Sequence, residues 1–334
     1  MFRCASFFAG VGGIDLGFEQ AGFDVVYANE ICKKASQTYK KNHQIRLDTR
    51  DIRDVKSDEI PDFDVMLAGF PCQAFSVAGY RQGFNDEKGR GNLYFELERI
   101  MKDKKPKLVF LENVKNLVGH DKGRTFRVIR RSMEDLGYKI HHRVMNACEY
   151  GNIPQNRERI YIVGFLDNGM SDCFRFPDEI RLETTLGEIF DFEERVDERY
   201  YYREDAYMYE DLKRDMTSIE TVYQWRRKYV RENKSNLCPT LTANMGTGGH
   251  NVPLILTSHG IRKLTPKECF MVQGFDRTFE LPTDVANSHL YKQAGNSVVV
   301  PVIRRIAISI KSAINLEEPA PNSKGIITLR DYHN

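Results

Sequence analysis

Short apolar runs alternate with amphipathic stretches through the first half of the chain, which predicts a parallel sheet with crossover helices. Arg3–Phe8 reads as a strand ending at a Gly-rich turn, and the segment behind it, carrying Leu16 and Phe18, has a helical pattern. Asp24–Ala28 is a second strand, followed by a helix through Tyr39. Asp64–Ala68 and Lys107–Leu111 are apolar runs of the kind that is buried on both faces. Tyr138–Asn146 and Arg159–Phe165 complete the set. Beyond Phe176 the alternation fades into a charged, Tyr-rich, irregular segment; order returns near Ile261, and Pro301–Ala313 has the period of an amphipathic helix. No internal repeat or low-complexity tract interrupts the pattern.

Length and composition narrow this picture. The 334 residues suit one large domain, or a large one with a smaller partner. With 41% hydrophobic and 29% charged residues, disorder, collagen-like repeats and coiled coil are excluded. No run approaches the ~18 apolar residues of a membrane span. The stretch Cys4–Ile14 is thinned by glycines and ended by Asp15, so it reads as part of the fold and not as a signal peptide. The seven cysteines (4, 32, 72, 148, 173, 238 and 269) form no CxxC pair, which points to a reducing compartment and no structural metal.

The formal charge of +2 conceals an asymmetry. Residues 178–211 hold 13 acidic and 4 basic side chains, residues 212–236 hold 3 and 7, and residues 237–261 hold none. A polyanionic partner is therefore compatible with the sequence, met by one face of a subdomain and avoided by another.

Four stretches carry candidate chemistry. Phe8-Ala9-Gly10-Val11-Gly12-Gly13 lies at a strand-to-helix turn, where glycines admit a ligand to the backbone. A dinucleotide fingerprint wants Gly or Ala where this chain has Asp15, and Glu30 ends the second strand, suited to ribose hydroxyls. That combination fits a nucleoside cofactor without a pyrophosphate, such as S-adenosylmethionine; the alternative is a tight turn with packing glycines. Gly69-Phe70-Pro71-Cys72-Gln73 ends another core strand, placing Cys72 as a nucleophile or as an inert buried thiol. Glu112-Asn113-Val114 ends the next, placing Glu112 as an acid toward a ring nitrogen or as a helix cap. In Gln155-Asn156-Arg157-Glu158-Arg159 the alternation puts Gln155, Arg157 and Arg159 on one face, toward a phosphate and a base carbonyl or toward solvent.

Taken in order, these stretches resemble the DNA (cytosine-5) methyltransferase family, of the bacterial restriction-modification type, over most of the chain. FFAGVGG resembles the cofactor motif, GFPCQ the Pro-Cys nucleophile motif, ENV the glutamate motif and QNRER the arginine motif. Arg90-Gly91-Asn92-Leu93 is similar to the cofactor-side motif after the active-site loop, RKLTPKECFMVQGF (262–275) to the structural motif after target recognition, and QAGNSVV to the last cofactor motif. The departures are Ile31, where some members have Trp, and Ala78, where some have a phosphate-binding serine.

The resemblance implies an α/β fold: a Rossmann-like, S-adenosylmethionine-dependent methyltransferase sheet with a smaller, irregular target-recognition domain. The expected division is 1–177, completed by 285–334, for catalysis and cofactor binding, and 178–284 for target recognition. Cys72, Glu112, Arg157 and Arg159 are the implied catalytic residues. Phe8, Gly10, Gly12, Gly13, Glu30, Asp51, Ile52, Pro71, Leu93 and Asn296 are the implied cofactor contacts, with S-adenosyl-L-methionine the cofactor and no metal. Gln73, Ser76, Gln155, Arg226, Arg227, Arg231 and Thr240 are the expected DNA contacts, with Gly79–Gly91 a lid over a flipped cytosine. Double-stranded DNA is the expected partner; a monomer suffices, and no membrane or obligate protein partner is called for. The lack of a regulatory domain or long N-terminal extension favours a bacterial or phage modification enzyme, cytoplasmic and acting at the nucleoid. The rival readings are a tRNA cytosine-5 methyltransferase, an inactive DNA-binding regulatory paralogue, and a generic oxidoreductase, the last disfavoured by Asp15.

Overall fold

A computed structural model describes residues 1–71, 93–226, 228–247 and 252–315. Cys72, Gln73, Ser76, Arg227, the expected lid Gly79–Gly91 and Arg90-Gly91-Asn92 lie outside the described residues. The chain forms two compact units. One comprises Met1–Met145, Glu158–Asp178 and the body of the last helix from Ile303; the other comprises Asn146–Arg157 and Glu179–Val302.

The first unit is built on a seven-stranded sheet. Its strands are β1 (Arg3–Phe7), β2 (Asp24–Asn29), β3 (Leu47–Asp48), β4 (Val65–Gly69), β5 (Leu108–Val114), β6 (Lys139–Asn146) and, after a two-residue strand β7 (Gln155–Asn156) that belongs to the second unit, β8 (Glu158–Phe165). The order across the sheet is β3-β2-β1-β4-β5-β8-β6. Strands β1 to β5 pair in parallel, with Phe7 opposite Asn29 and Ala68 and with Gly69 opposite Glu112. Their carboxyl ends therefore form one edge, where open α/β sheets bind ligands.

The sheet is mixed and not wholly parallel, because β8 runs antiparallel to β5. Apolar runs report burial and are blind to strand direction. The connection from β6 to β8 spans only residues 147–157, with a one-turn helix at Ala147–Tyr150, where a crossover would need a helix of its own.

Helices α1 (Gly13–Gln20), α2 (Lys33–Asn42), α3 (Leu93–Lys104) and α4 (Arg124–Asp135) belong to this unit. In α3, Tyr94, Leu97, Ile100 and Met101 recur at helical spacing and are buried, while the Tyr94 hydroxyl donates to the Ile129 carbonyl of α4 at 3.1 Å. Phe18 of α1 meets Phe110 of β5 edge-on at 5.1 Å.

The second unit contains a four-stranded antiparallel sheet ordered β10 (Val230–Glu232), β9 (Tyr223–Trp225), β12 (Leu254–Thr257) and β13 (Gly260–Lys263). Tyr223, Trp225, Leu212, Leu254 and Ile261 form its apolar core. The short strand β11 (Cys238–Pro239) pairs in parallel with β7. Helix α5 (Pro266–Met271) starts at a capping box of Thr265 and Glu268 with Pro266 in its first turn. Glu268 also takes both guanidinium ends of fully buried Arg262, at 2.7 and 2.8 Å, so neither charge is left unpaired.

Helix α6 (Asn287–Asn296) closes this unit and α7 (Val300–Ile314) follows, with the unit boundary inside it. From Ile303 onward α7 packs in the first unit: Ile303, Ile306, Ala307 and Ile310 are buried, and Lys311 Nζ donates to the Ala21 carbonyl at 2.9 Å. That amphipathic helix is where the sequence pattern predicts it. No helix among the described residues is long and apolar enough to cross a membrane.

Candidate active site

The site on the first unit begins with the turn from β1 to α1. Phe8 adopts φ 55°, a left-handed conformation that costs a non-glycine residue about 1–2 kcal/mol. Gly10 and Gly12 continue in the same region at φ 61° and 86°. A Cβ added at Gly10 would meet nothing within 4 Å, so the backbone there faces open space that a ligand can enter. Phe8 is half-buried and its ring packs on the core from the edge of this turn.

Glu30, at the end of β2, is buried against the turn. Its Oε2 accepts from the Gly10 N–H at 2.8 Å and its Oε1 from the Cys32 N–H at 2.7 Å. Burial raises the carboxyl above its usual range and these two backbone donors pull it back. A carboxylate has about four acceptor positions, so two remain for hydroxyl groups of a ligand. Ile31, next along, is 56% exposed and offers an apolar surface beside it. Asp51 caps the short turn Ile52–Asp54, and the Arg53 guanidinium, 2.5 Å away, holds its carboxyl below the usual range. Ile52 is buried in the core, and Leu93, the first residue of α3, packs against that core.

The ends of β4 and β5 carry the other half. Phe70 is buried and Pro71 exposed at the last described position before Cys72. Glu112 lies opposite Tyr161 and Val114 opposite Arg159 across the β5–β8 ladder, which puts Glu112 and Arg159 on one face as diagonal neighbours. Arg159 Nε is 3.1 Å from Glu112 Oε1, both side chains being only 11–13% exposed. The other oxygen, Oε2, sits 3.5 Å from the position of a Cβ at Gly69. Asn113, for which the sequence carries no signal beyond its place in ENV, donates from Nδ2 to the Phe70 carbonyl at 2.8 Å. It thereby fixes the backbone two residues before Cys72.

The remaining expected residues lie in the second unit. Arg157 falls between β7 and β8 and is 3% exposed. Its Nη1 donates to the Leu241 carbonyl at 2.8 Å, and its Nη2 to the carbonyls of Gly295, at 3.0 Å, and Ser297. Gln155 is fully buried and donates from Nε2 to the Val272 carbonyl at 3.3 Å. The single face expected for Gln155, Arg157 and Arg159 is thus divided: the first two find partners in the second unit, Arg159 in the first. Asn296 ends α6 with an exposed side chain, between the two residues whose carbonyls Arg157 holds. Thr240 is exposed, with its Oγ1 donating to the Asn156 carbonyl at 2.5 Å. Arg226 and Arg231 are exposed on the β9–β10 hairpin, which Arg226 N–H closes by donating to the Tyr229 carbonyl at 2.9 Å.

Comparison with known proteins gives the same direction from independent information. The family model for C-5 cytosine-specific DNA methylase matches residues 2–312. The chain is 60% identical to the Type II methyltransferase M.Bsp6I of a Bacillus species over 312 residues, 93% of this chain and 98% of that protein. It is 42% identical to the Type II methyltransferase M.NlaX of Neisseria lactamica over 318 residues, 94% and 98% of the two chains. In fold it resembles the crystal structure of a DNMT2 mutant from Spodoptera frugiperda, with a TM-score of 0.73 and 19% identity over 93% of this chain and all of that one. The Rossmann-like architecture expected from the sequence is therefore established, and neither the tRNA reading nor the inactive paralogue gains support. With the family model spanning nearly the whole chain, this protein belongs to the C-5 cytosine-specific DNA methylases and is a DNA (cytosine-5) methyltransferase.

Proposed function

We propose that the enzyme takes its methyl group from S-adenosylmethionine and places it on a cytosine flipped out of a short, specific duplex sequence. The single observation that carries this reading is the Glu112–Arg159 pair, 3.1 Å apart at the carboxyl edge of the sheet, with Glu112 opposite Gly69, three residues before Cys72 in sequence. The residues of the Gly turn fit the cofactor. Open space over Gly10, the buried Glu30 carboxylate with free acceptor capacity and the apolar Ile31 suit a backbone-contacted, ribose-bearing ligand. When bound, S-adenosylmethionine supplies an electrophilic methyl group.

Cytosine C5 is a weak nucleophile until the ring is de-aromatised. Attack of the Cys72 thiolate on C6 forms an S–C bond and pushes electron density through C5 toward N3. Glu112 donates a proton to N3, and Arg159, released toward the base, holds the O2 oxygen as charge develops. C5 then takes up the methyl group; a base removes the C5 proton as the Cys72 thiolate leaves C6, and N3 returns its proton to Glu112, restoring the aromatic ring. Arg157, held by the carbonyls of Leu241, Gly295 and Ser297, fixes the segment before Arg159. The atoms involved are inaccessible in a stacked duplex, so base flipping precedes chemistry.

The relatives' description as Type II methyltransferases supports a protective role in restriction-modification. The test is transfer of tritiated methyl from S-adenosylmethionine to unmethylated plasmid DNA and to tRNA, followed by bisulfite sequencing of the plasmid. Label confined to cytosines within one short duplex motif is expected. Labelling of tRNA alone, or of DNA without sequence preference, refutes the proposal.

A further inference from the structure

Beneath the glycine turn lies a buried polar cluster that the site described above does not use. Asp15, in the first turn of α1, has no exposure to solvent. Its Oδ1 accepts from Ser6 Oγ of β1 at 2.5 Å and its Oδ2 from the Tyr39 hydroxyl of α2 at 2.7 Å. The Tyr39 ring stacks on His43, with centroids 4.2 Å apart and 23° between the planes. His43, just past the end of α2, is 5% exposed. Its Nε2 is 3.3 Å from the Val11 carbonyl oxygen, inside the turn, and its Nδ1 is 3.7 Å from Glu19 Oε2. The ring occupies the space a side chain would need at Gly12, with Nε2 only 2.0 Å from the position of a Cβ there. Gly12 is thus glycine for two reasons, its left-handed φ and the imidazole packed against it.

We infer that His43 is a positioning residue for the cofactor turn, its Nε2–H holding the Val11 carbonyl and its cation offsetting the Asp15 and Glu19 carboxylates under that turn. This rests on the proposed assignment of the Gly10–Gly12 backbone to S-adenosylmethionine. Two hydroxyl donors soften the burial of Asp15 but leave a charge in an apolar setting. Burial is the strongest influence on Asp15 and raises its carboxyl; His43 opposes that and Glu19 adds to it. Burial alone would push the His43 imidazolium down, but Glu19, Asp15 and the Val11 carbonyl together outweigh it and the ring titrates above its usual value.

The sign follows from these directions. A histidine whose folded-state value is raised contributes fully below its unfolded value, about 6.5, and loses that contribution as pH rises through the folded value. The raised Asp15 works the same way, since its ionised form is the costly one in the fold. Alkaline conditions therefore remove the cation and loosen the turn from beneath.

Calorimetric titration with S-adenosylhomocysteine from about pH 6 to about pH 9, across the imidazole range, tests this. Wild-type affinity is expected to weaken at least about threefold toward the alkaline end. His43→Gln keeps an amide donor without a charge and should bind with little pH dependence. His43→Phe keeps the stack on Tyr39 without a donor and should bind about five- to tenfold more weakly at neutral pH, the loss of one charge-assisted hydrogen bond. Affinity for duplex DNA, measured without cofactor, should be the same for all three. Should His43→Phe fail to fold by circular dichroism, the flat pH profile of His43→Gln carries the test. If His43→Gln follows the wild-type pH profile, His43 is a packing residue and the inference is overturned. A wild-type protein that binds no S-adenosylhomocysteine overturns the cofactor assignment of the turn instead.

Discussion

Gly295 of α6 lies directly against the backbone of Thr242, so close that a Cβ on Gly295 would stand 2.2 Å from the Thr242 carbonyl carbon. Thr242 lies two residues beyond Thr240, an expected DNA contact, and Gly295 itself precedes Asn296. Because the obstruction is backbone, the neighbour cannot rotate away. Gly295→Ala gains about 1 kcal/mol of helix propensity, but overpacking of this kind costs typically 1–3 kcal/mol and here demands a main-chain shift. Net destabilisation of about 2 kcal/mol is expected, read as a lowered urea midpoint with an unchanged slope.

Arg157 binds the same region through main-chain carbonyls. Removing its guanidinium leaves the carbonyls of Leu241, Gly295 and Ser297 buried, each at a penalty of about 1–3 kcal/mol. Arg157→Lys keeps the charge but cannot serve acceptors in three directions with a planar fork. It should weaken specific DNA binding and lower thermal stability together. A variant with wild-type stability and impaired turnover alone would place Arg157 in the chemistry and not in positioning.

Glu112 and Arg159 call for separate variants, because each leaves the other differently placed. Glu112→Gln retains shape and removes the proton donor, so methyl transfer should fall by a factor of about 10² to 10⁴. Arg159→Ala removes the group held for O2 and should fall by about 10² to 10³. Single-turnover methyl transfer at saturating DNA and cofactor is the measurement. Cofactor affinity in both variants should stay near wild type, as the hydrogen bonds that hold Glu30 to the Gly turn run to the backbone of Gly10 and Cys32.

Cys72→Ala should abolish methyl transfer and also the covalent complex with duplex DNA carrying 5-fluorocytosine, since fluorine stands in place of the C5 proton, cannot be abstracted by a base and so traps the thiol adduct. The readout is a shifted band on a denaturing gel, present for wild type and missing for the variant. A persisting adduct would locate the nucleophile elsewhere.

Arg226 and Arg231 are exposed on one hairpin, and their substitution separates reading from clamping. An arginine that pairs with guanine changes which sequence is methylated, with about 1–3 kcal/mol of discrimination lost. One that meets only phosphate weakens all sites alike and reduces the salt slope by about 0.9. Alanine variants at both positions that leave target choice, affinity and slope intact would remove the hairpin from the DNA surface.

Much of this protein is determined locally. Strands β1, β2, β4, β5, β6 and β8 and helices α1, α2 and α7 follow from runs and periods of apolar residues, because burial of a face is a property each segment carries by itself. Gly10 and Gly12, Glu30 and Glu112 could be singled out in the same way, since strand ends and positive-φ turns restrict residue type. Tertiary structure decided the rest. The direction of β8 depends on what precedes it and not on its own pattern. The acceptors of Arg157 are main-chain carbonyls 84, 138 and 140 positions away, and a carbonyl has no residue-type signature. Asp15, legible only as a break in a dinucleotide pattern, acquires its meaning from Ser6, Tyr39 and His43, which β1 and the end of α2 bring around it. A buried charge is tolerated only through partners that folding assembles, so no stretch of sequence around it can announce its role.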